Sequence, residues 1–323
     1  MPYAQMRDGA RLHYLSLGRG PTTVVVLHGF AMFGALWLPF VAPLATRYRF
    51  ILPDLRGFGG SHALPLNGRC LLSQHADDLA DLFDHLGQAK VLLAGLSMGA
   101  CTALQYQRRY GFDRVAAYLH IDQSPCVANR ADWQHGLLGA AQAALLPQWR
   151  GLMEAMEAYR GQAFDAIPKA LRQRLWQTLA VFFSHAMADG PVRQFSGLAR
   201  HEFLVRRVAP VSNWPIYMDT LRSYLTEDYD WRPSLPQIQM PMTAFIGMRP
   251  SMHPAPWQLP LPPRVPHCRL VRFERSGHAI PFEAPLQFTQ ELSRWLATYA
   301  PLLSVRRQAE GDSSDAAWSA QRS

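Results

Sequence analysis

Residues 90–111 read KVLLAGLSMGACTALQYQRRYG, and this stretch decides the fold. Residues 90–96 are a short apolar run of the kind that builds a strand buried on both faces. Residues 98–110 are rich in the helix formers Ala, Leu and Gln, and Gly111 supplies a stop. Between the two stands Gly95-Leu96-Ser97-Met98-Gly99, a G-x-S-x-G pattern at a strand-to-helix turn. So sharp a turn strains the backbone of its central residue, and small residues on either side keep neighbouring chain clear. The helix that follows points its N-terminus at Ser97, where negative charge developing in a transition state is stabilised. Ser97 is therefore the candidate nucleophile.

Outward from this turn the alternation of strand and helix continues. Thr22–Leu27 (TTVVVL) is a β-branched run, residues 36–48 read as a helix, and residues 50–55 as a short strand. Leu71–Leu86 sets Asp77, Asp78, Asp81 and Asp84 on one side and Leu79, Leu82, Phe83 and Leu86 on another. That spacing is an amphipathic helix, stopped by Gly87. Val115–Ile121 is a further strand. The pattern predicts an α/β fold with a doubly wound, mostly parallel sheet. Over residues 125–236 helical stretches dominate instead, at 133–146, 152–159, 171–188 and 213–225. Strands return at residues 242–246 and 269–273, and an amphipathic helix runs over Pro285–Tyr299. The expected organisation is a core of residues 1–124 and 237–303, an inserted all-helical cap of residues 125–236, and a disordered polar tail of residues 304–323.

Composition narrows the function. The chain has 323 residues, 49% hydrophobic and 17% charged, which is a globular balance. Its net charge of +8 is spread along the chain, the densest basic pairs being Arg108–Arg109, Arg206–Arg207 and Arg306–Arg307. Without a basic run interleaved with aromatics, nucleic-acid binding is not expected. The uncharged residues 22–46 are broken by His28, Gly29, Gly34, Pro39 and Pro43, so they read as strand, loop and helix rather than a membrane span. No signal-peptide pattern precedes them, and a cytoplasmic protein with reduced thiols is expected. The twelve histidines and four cysteines show no metal-ligand spacing, so neither metal nor cofactor is expected.

A serine hydroxyl needs a base near neutral pH. His278, in RFERSGHAIPFEAP, follows the last expected strand and precedes the last helix. That puts it at the strands' C-terminal edge, where the Ser97 turn also lies and where open parallel sheets bind ligands. It is the candidate general base.

Four segments in order, LHGF (27–30), PDLRGFGGS (53–61), GLSMG (95–99) and SGHAIPFEAP (276–285), resemble the signatures of the α/β-hydrolase superfamily. The resemblance covers the chain apart from cap and tail. It implies that the backbone N–H groups of Phe30 and Met98 form an oxyanion hole, with His28 and Gly29 shaping the first loop. Relatives commonly carry the triad acid after the penultimate strand, but that loop here, IGMRPSMHPAPW (246–257), has no acid. The superfamily's alternative position, one strand earlier, holds Asp122 in LHIDQSP. A carboxylate there fixes the imidazole tautomer. Glu283 and Asp54 are the other acids in signature segments, each with a structural reading as a loop anchor.

These residues imply hydrolysis of a small-molecule carboxylic ester through an acyl-enzyme. The alternatives are a cofactor-free perhydrolase (haloperoxidase), a C–C bond hydrolase or an acyltransferase on the same triad, and, more distantly, a non-catalytic ligand-binding protein. Oligomeric state is not legible. Cap residues Trp133, Leu137, Leu138, Met153, Met156, Phe182, Phe183, Phe195, Trp214 and Tyr217 are candidates either for an apolar pocket or for packing cap helices together.

Overall fold

A computed structural model describes residues 2–66, 70–187, 202, 206, 211–249, 252–253 and 261–303. The expected tail of residues 304–323 and Phe195 lie outside the described residues. Eight strands form one sheet: β1 (Tyr3–Gln5), β2 (Arg11–Leu17), β3 (Thr22–Leu27), β4 (Tyr48–Pro53), β5 (Val91–Leu96), β6 (Val115–Ile121), β7 (Met242–Gly247) and β8 (Cys268–Phe273). Their order is β1-β2-β4-β3-β5-β6-β7-β8. From β4 to β8 all pairs are parallel, while β1 and β2 add an antiparallel edge that hydrophobic patterning did not predict.

The chain runs from β3 outward to β4, then returns across β3 to β5. This reversal leaves a crevice at the C-terminal ends of β3 and β5, the place where such sheets bind ligands. Side chains alternate across the sheet with the two-residue period of a strand. Val25, Leu27 and Leu93 join one apolar cluster, with α2 (Leu71–Leu86), α3 (Met98–Tyr110) and the helices after β6. Val24, Val26, Leu92 and Ala94 join the other, with Trp37, Phe40, Phe288 and Trp295. Both faces are covered, which is why β3, β5 and β6 are buried throughout.

The helix expected over residues 36–48 is not one helix. Pro43 has no N–H to continue the ladder, so the chain makes a 3-10 turn at Gly34–Trp37, a single α turn at α1 (Leu38–Val41) and a second 3-10 turn at Ala42–Leu44. Tyr48 already belongs to β4. The two helices expected at residues 133–146 and 152–159 are also redrawn. A left-handed Leu138 (φ 65°) precedes a 3-10 turn, and α4 (Gln142–Glu157) then runs unbroken, burying Trp149, Leu152, Met153 and Met156. The remaining long helices are α5 (Lys169–Ala186), α6 (Pro215–Thr226) and α7 (Pro285–Tyr299).

The segment between β6 and β7 closes on itself at a neck. The Val127 N–H donates to the Tyr229 carbonyl at 2.9 Å, and the Trp231 N–H to the Pro125 carbonyl at 2.9 Å. Trp231, fully buried, donates its indole N–H to Gln105 on α3 at 2.9 Å and so ties the neck to the core. Among the described residues no helix is long and apolar enough to cross a membrane.

The acidic side of α2 is not a water face. Asp77, Asp78 and Asp81 are buried, and each meets an arginine from another element. Arg109 lies 2.7 Å from Asp77, Arg56 makes two 2.8 Å bonds to Asp78, and Arg7 lies 2.7 Å from Asp81. Arg56 is fully buried and also pairs with Asp8 at 2.9 Å. Paired charges of this kind survive burial because their hydrogen bonds are satisfied.

Candidate active site

The turn after β5 has the geometry its sequence implied. Ser97 sits at φ 52°, ψ −116°, a conformation that L residues rarely adopt. Two backbone bonds hold it there: its N–H donates to the Ile121 carbonyl at 3.1 Å, and its carbonyl accepts the Cys101 N–H at 2.9 Å. The flanking glycines are required by close approach rather than by flexibility. A Cβ on Gly99 would stand 2.6 Å from the Leu27 carbonyl oxygen, and one on Gly95 2.6 Å from the Gly99 carbonyl oxygen. Without side chains there, α3 can begin directly against the end of β3. Met98 is the first residue of α3, among the N–H groups that a helix leaves unpaired.

The loop after β3 packs beside Ser97. A Cβ on Gly29 would be 3.6 Å from that of Ser97. Buried His28 holds this loop: its Nε2 accepts the Leu55 N–H at 2.9 Å, so its protonated Nδ1 donates to the Gly29 carbonyl at 2.8 Å. Burial lowers the basicity of His28 and keeps it neutral, as this pair of bonds needs. Phe30 follows, lining the same cavity as Ser97 and His278.

His278 and Asp122 come together from 156 residues apart, at 2.8 Å between Nδ1 and Oδ2. A carboxylate can only accept, so Nδ1 carries the proton and the lone pair of neutral His278 is on Nε2. Asp122 itself is held at φ 43°, its N–H donating to the Phe245 carbonyl at 2.9 Å and its Oδ1 accepting the Gly247 N–H at 2.9 Å. Glu283 stays with its own loop, its Oε2 accepting from Gly277 N–H at 2.9 Å and from the Ser276 hydroxyl at 3.2 Å. Asp54 accepts from the Gly34 and Gly60 N–H groups, both at 2.6 Å, and pairs with His13 at 2.7 Å. Neither contacts His278 through these bonds, in keeping with their reading as loop anchors.

Two neighbours carried no signal in the sequence. His253, in the loop where relatives place their acid, packs its ring against His278 with centroids 5.5 Å apart and planes at 67°. Burial, then the nearby His278, holds His253 well below the usual imidazole range. At the other end, the Ala279 N–H donates to the Ala186 carbonyl at 3.0 Å, joining the loop of His278 to the last turn of α5.

Ser97 and His278 open on a cavity of about 140 Å³, lined otherwise by apolar groups that include Phe30, Met32, Phe182, Phe183 and Phe282. Of the cap candidates, Phe182 and Phe183 thus reach this cavity, and Tyr217 lines a neighbouring one. Trp133, Leu137, Leu138, Met153, Met156 and Trp214 are buried in the apolar cluster on that side of the sheet.

A strained serine at the topological switch point, a carboxylate-paired histidine facing the same cavity and a doubly wound sheet define a hydrolase architecture. The family model described as alpha/beta hydrolase fold matches residues 22–187, and the chain belongs to that family. The pimeloyl-[acyl-carrier protein] methyl ester esterase of Chromobacterium violaceum is 27% identical over 285 residues, covering 88% of this chain and 98% of that one. Its counterpart from Aeromonas hydrophila is 26% identical over 284 residues, covering 86% and 96%. An esterase from Exiguobacterium antarcticum superposes with a TM-score of 0.70 at 21% identity, over 92% of this chain and 99% of that one. A bromoperoxidase from Bacillus anthracis superposes with a TM-score of 0.71, also at 21% identity, over 91% and 99%. These two similarities concern the fold, which hosts more than one chemistry.

Proposed function

We propose that the protein is a serine hydrolase that cleaves small-molecule carboxylic esters bearing an apolar group, through an acyl-enzyme on Ser97. The observation that carries this reading is that His278, paired with Asp122, opens with Ser97 on one apolar cavity. Ester chemistry is supported further by the relatives named as methyl ester esterases, which match nearly end to end.

In the mechanism, Ser97 Oγ attacks the ester carbonyl while His278 Nε2 takes its proton. Asp122 stabilises the imidazolium through the Nδ1 bond. The carbonyl oxygen, now negative, is met by the Phe30 and Met98 N–H groups. Collapse breaks the C–O bond, and the departing alcohol takes the proton from Nε2. Water then repeats the sequence on the acyl-enzyme, releasing the acid and restoring Ser97. Residues 125–236 act as the cap, with Phe182 and Phe183 of α5 supplying apolar walls to the site.

The test is a fluorophosphonate probe and a series of p-nitrophenyl and methyl esters on wild type and Ser97→Ala, with the adduct located by mass spectrometry. Ser97→Ala should lose the label and on the order of 10⁴-fold or more in turnover. Near-full activity in that variant, or a label on another residue, removes Ser97 from the proposal. Labelling without ester turnover shifts weight to the perhydrolase, C–C hydrolase and transferase readings.

A further inference from the structure

Two cavities meet at Met32. The first holds Ser97 and His278 and measures about 140 Å³. The second measures about 360 Å³ and lies against Ala31, Phe33, Phe58, Tyr217 and the Gly57–Phe58–Gly59–Gly60 loop. Among the described residues, Met32 is the lining residue common to both. A tight turn puts it there. Ala31 is left-handed at φ 55°, and the Met32 N–H returns to the Gly29 carbonyl at 3.2 Å. The turn lays the thioether over Gly29, with Sδ 3.1 Å from where a Cβ on that residue would stand, directly beside Ser97. Beside it the Phe30 ring lines the first cavity and is edge-on to Phe182 at 5.5 Å and to Phe58 and Tyr217 of the second cavity's lining at 5.9 and 6.1 Å.

Size decides what this wall does. A cavity of about 150 Å³ accepts a ring the size of benzene. Sites for larger ligands measure about 300–1,000 Å³, a range that the cavity beside Ser97 reaches only if joined to the second. The second cavity is suited to an uncharged continuation of an apolar chain. Among the described residues its ionisable lining groups are Asp54, which already accepts from two backbone N–H groups and pairs with His13, and His62, whose Nδ1 donates to the Gly59 carbonyl at 3.0 Å, so neither calls for a charged partner. Methionine is unbranched and flexible, and shortening it need not move the backbone that holds it.

We infer that Met32 is the specificity-determining residue of the acyl site: it ends the cavity beside Ser97, restricts the acyl group to a few carbons or a small ring, and separates it from the second cavity. This rests on the ester-hydrolase reading. The experiment compares kcat/KM for p-nitrophenyl acetate, butyrate, octanoate and decanoate in wild type, Met32→Ala, Met32→Val and Met32→Leu. The readout is the octanoate-to-acetate ratio within each preparation, which does not depend on how much of the variant is folded. Wild type should favour the short esters. Met32→Ala should raise the ratio roughly tenfold or more, by the scale on which a pocket discriminates single methylenes. Met32→Val should raise it less, and Met32→Leu, of similar volume, should leave it near the wild-type value. Should Met32→Ala not fold, Met32→Val carries the same expectation. Ester turnover with a ratio unchanged in both shortened variants, or a wild type that already favours octanoate, overturns the role of Met32 alone. A wild type that turns over no ester and takes no label on Ser97 overturns the ester reading and this inference with it.

Discussion

Asp122 shows how much can rest on two oxygen atoms. Its Oδ2 accepts the N–H of His278 Nδ1, and its Oδ1 accepts the Gly247 N–H. An asparagine cannot do both. With its carbonyl on Gly247, its amide N–H₂ faces Nδ1 and forces the imidazole proton onto Nε2, where the base's lone pair is needed. With the amide flipped, two donors confront each other at Gly247. Asp122→Asn should therefore lower kcat by up to about 10⁴-fold while leaving the fold in place. Steady-state kinetics beside a circular dichroism spectrum checks this, and activity within tenfold of wild type would remove Asp122 from the proposed triad. In the sequence Glu283 and Asp54 already stand behind Asp122, each read as a loop anchor. What separates them is direction: Glu283 is turned to the N–H of its own loop and Asp54 to two other loops.

The meeting of α3 with β3 is a test at the level of elements. Gly99 lies in the first turn of a helix, where alanine would by propensity alone be favoured by about 1 kcal/mol. Close approach reverses the sign. An added Cβ would meet the Leu27 and His28 carbonyl oxygens at 2.6 and 2.8 Å, and these are backbone atoms that cannot swing aside. Gly99→Ala should therefore destabilise the protein by about 1–3 kcal/mol, as overpacking does, and should slow catalysis by pushing Ser97 away from the Phe30 loop. A urea midpoint below that of wild type is the expected result. A raised midpoint would mean that propensity, not packing, governs this turn. Close approach also explains why the G-x-S-x-G pattern is informative in its strand–turn–helix context: Gly99 answers to the end of β3, and Gly95 to the first turn of α3.

Across the whole molecule, buried neutral histidines set a pH limit on stability. His120 donates from Nε2 to the Gln123 carbonyl at 2.6 Å and accepts the Tyr118 hydroxyl at Nδ1, and burial lowers it to about 4. His75 donates to the Arg56 carbonyl at 2.9 Å and is lowered by burial to about 3. His28 and His253 are shifted in the same direction. In the unfolded chain each imidazole protonates near 6.5, whereas in the folded protein His120 and His75 stay neutral down to about 4 and 3. The unfolded state thus binds more protons between those limits. Stability is fully present above about pH 6.5 and falls as pH drops, by about 1.4 kcal/mol per pH unit for each such histidine. Urea denaturation at pH 7.5, 6 and 5 should show this loss before the carboxylates titrate. A midpoint unchanged from pH 7.5 to 5 would contradict it.

What the sequence determined by itself was local or repetitive. The bounds of α2, α3, β3, β6 and α7 were legible because hydrophobic period, glycine stops and β-branched runs act over a few residues. Ser97 and His278 were legible as candidates because each sits in a short motif whose context is a neighbouring strand or helix. Tertiary structure decided the rest. Residues 36–48 became short turns because Pro43 interrupts the ladder and Tyr48 is drawn into β4, where it pairs in register with Thr22. The acids of α2 read as one side of an amphipathic helix, yet their partners come from the turn between β1 and β2 (Arg7), the loop after β4 (Arg56) and α3 (Arg109). The meeting of Asp122 with His278, of His253 with His278, and of two cavities at Met32 depends on where distant strands and loops end. Periodicity reports which face of an element is apolar. It carries no information about which residue, a hundred or more positions away, will be brought against that face by the path of the chain.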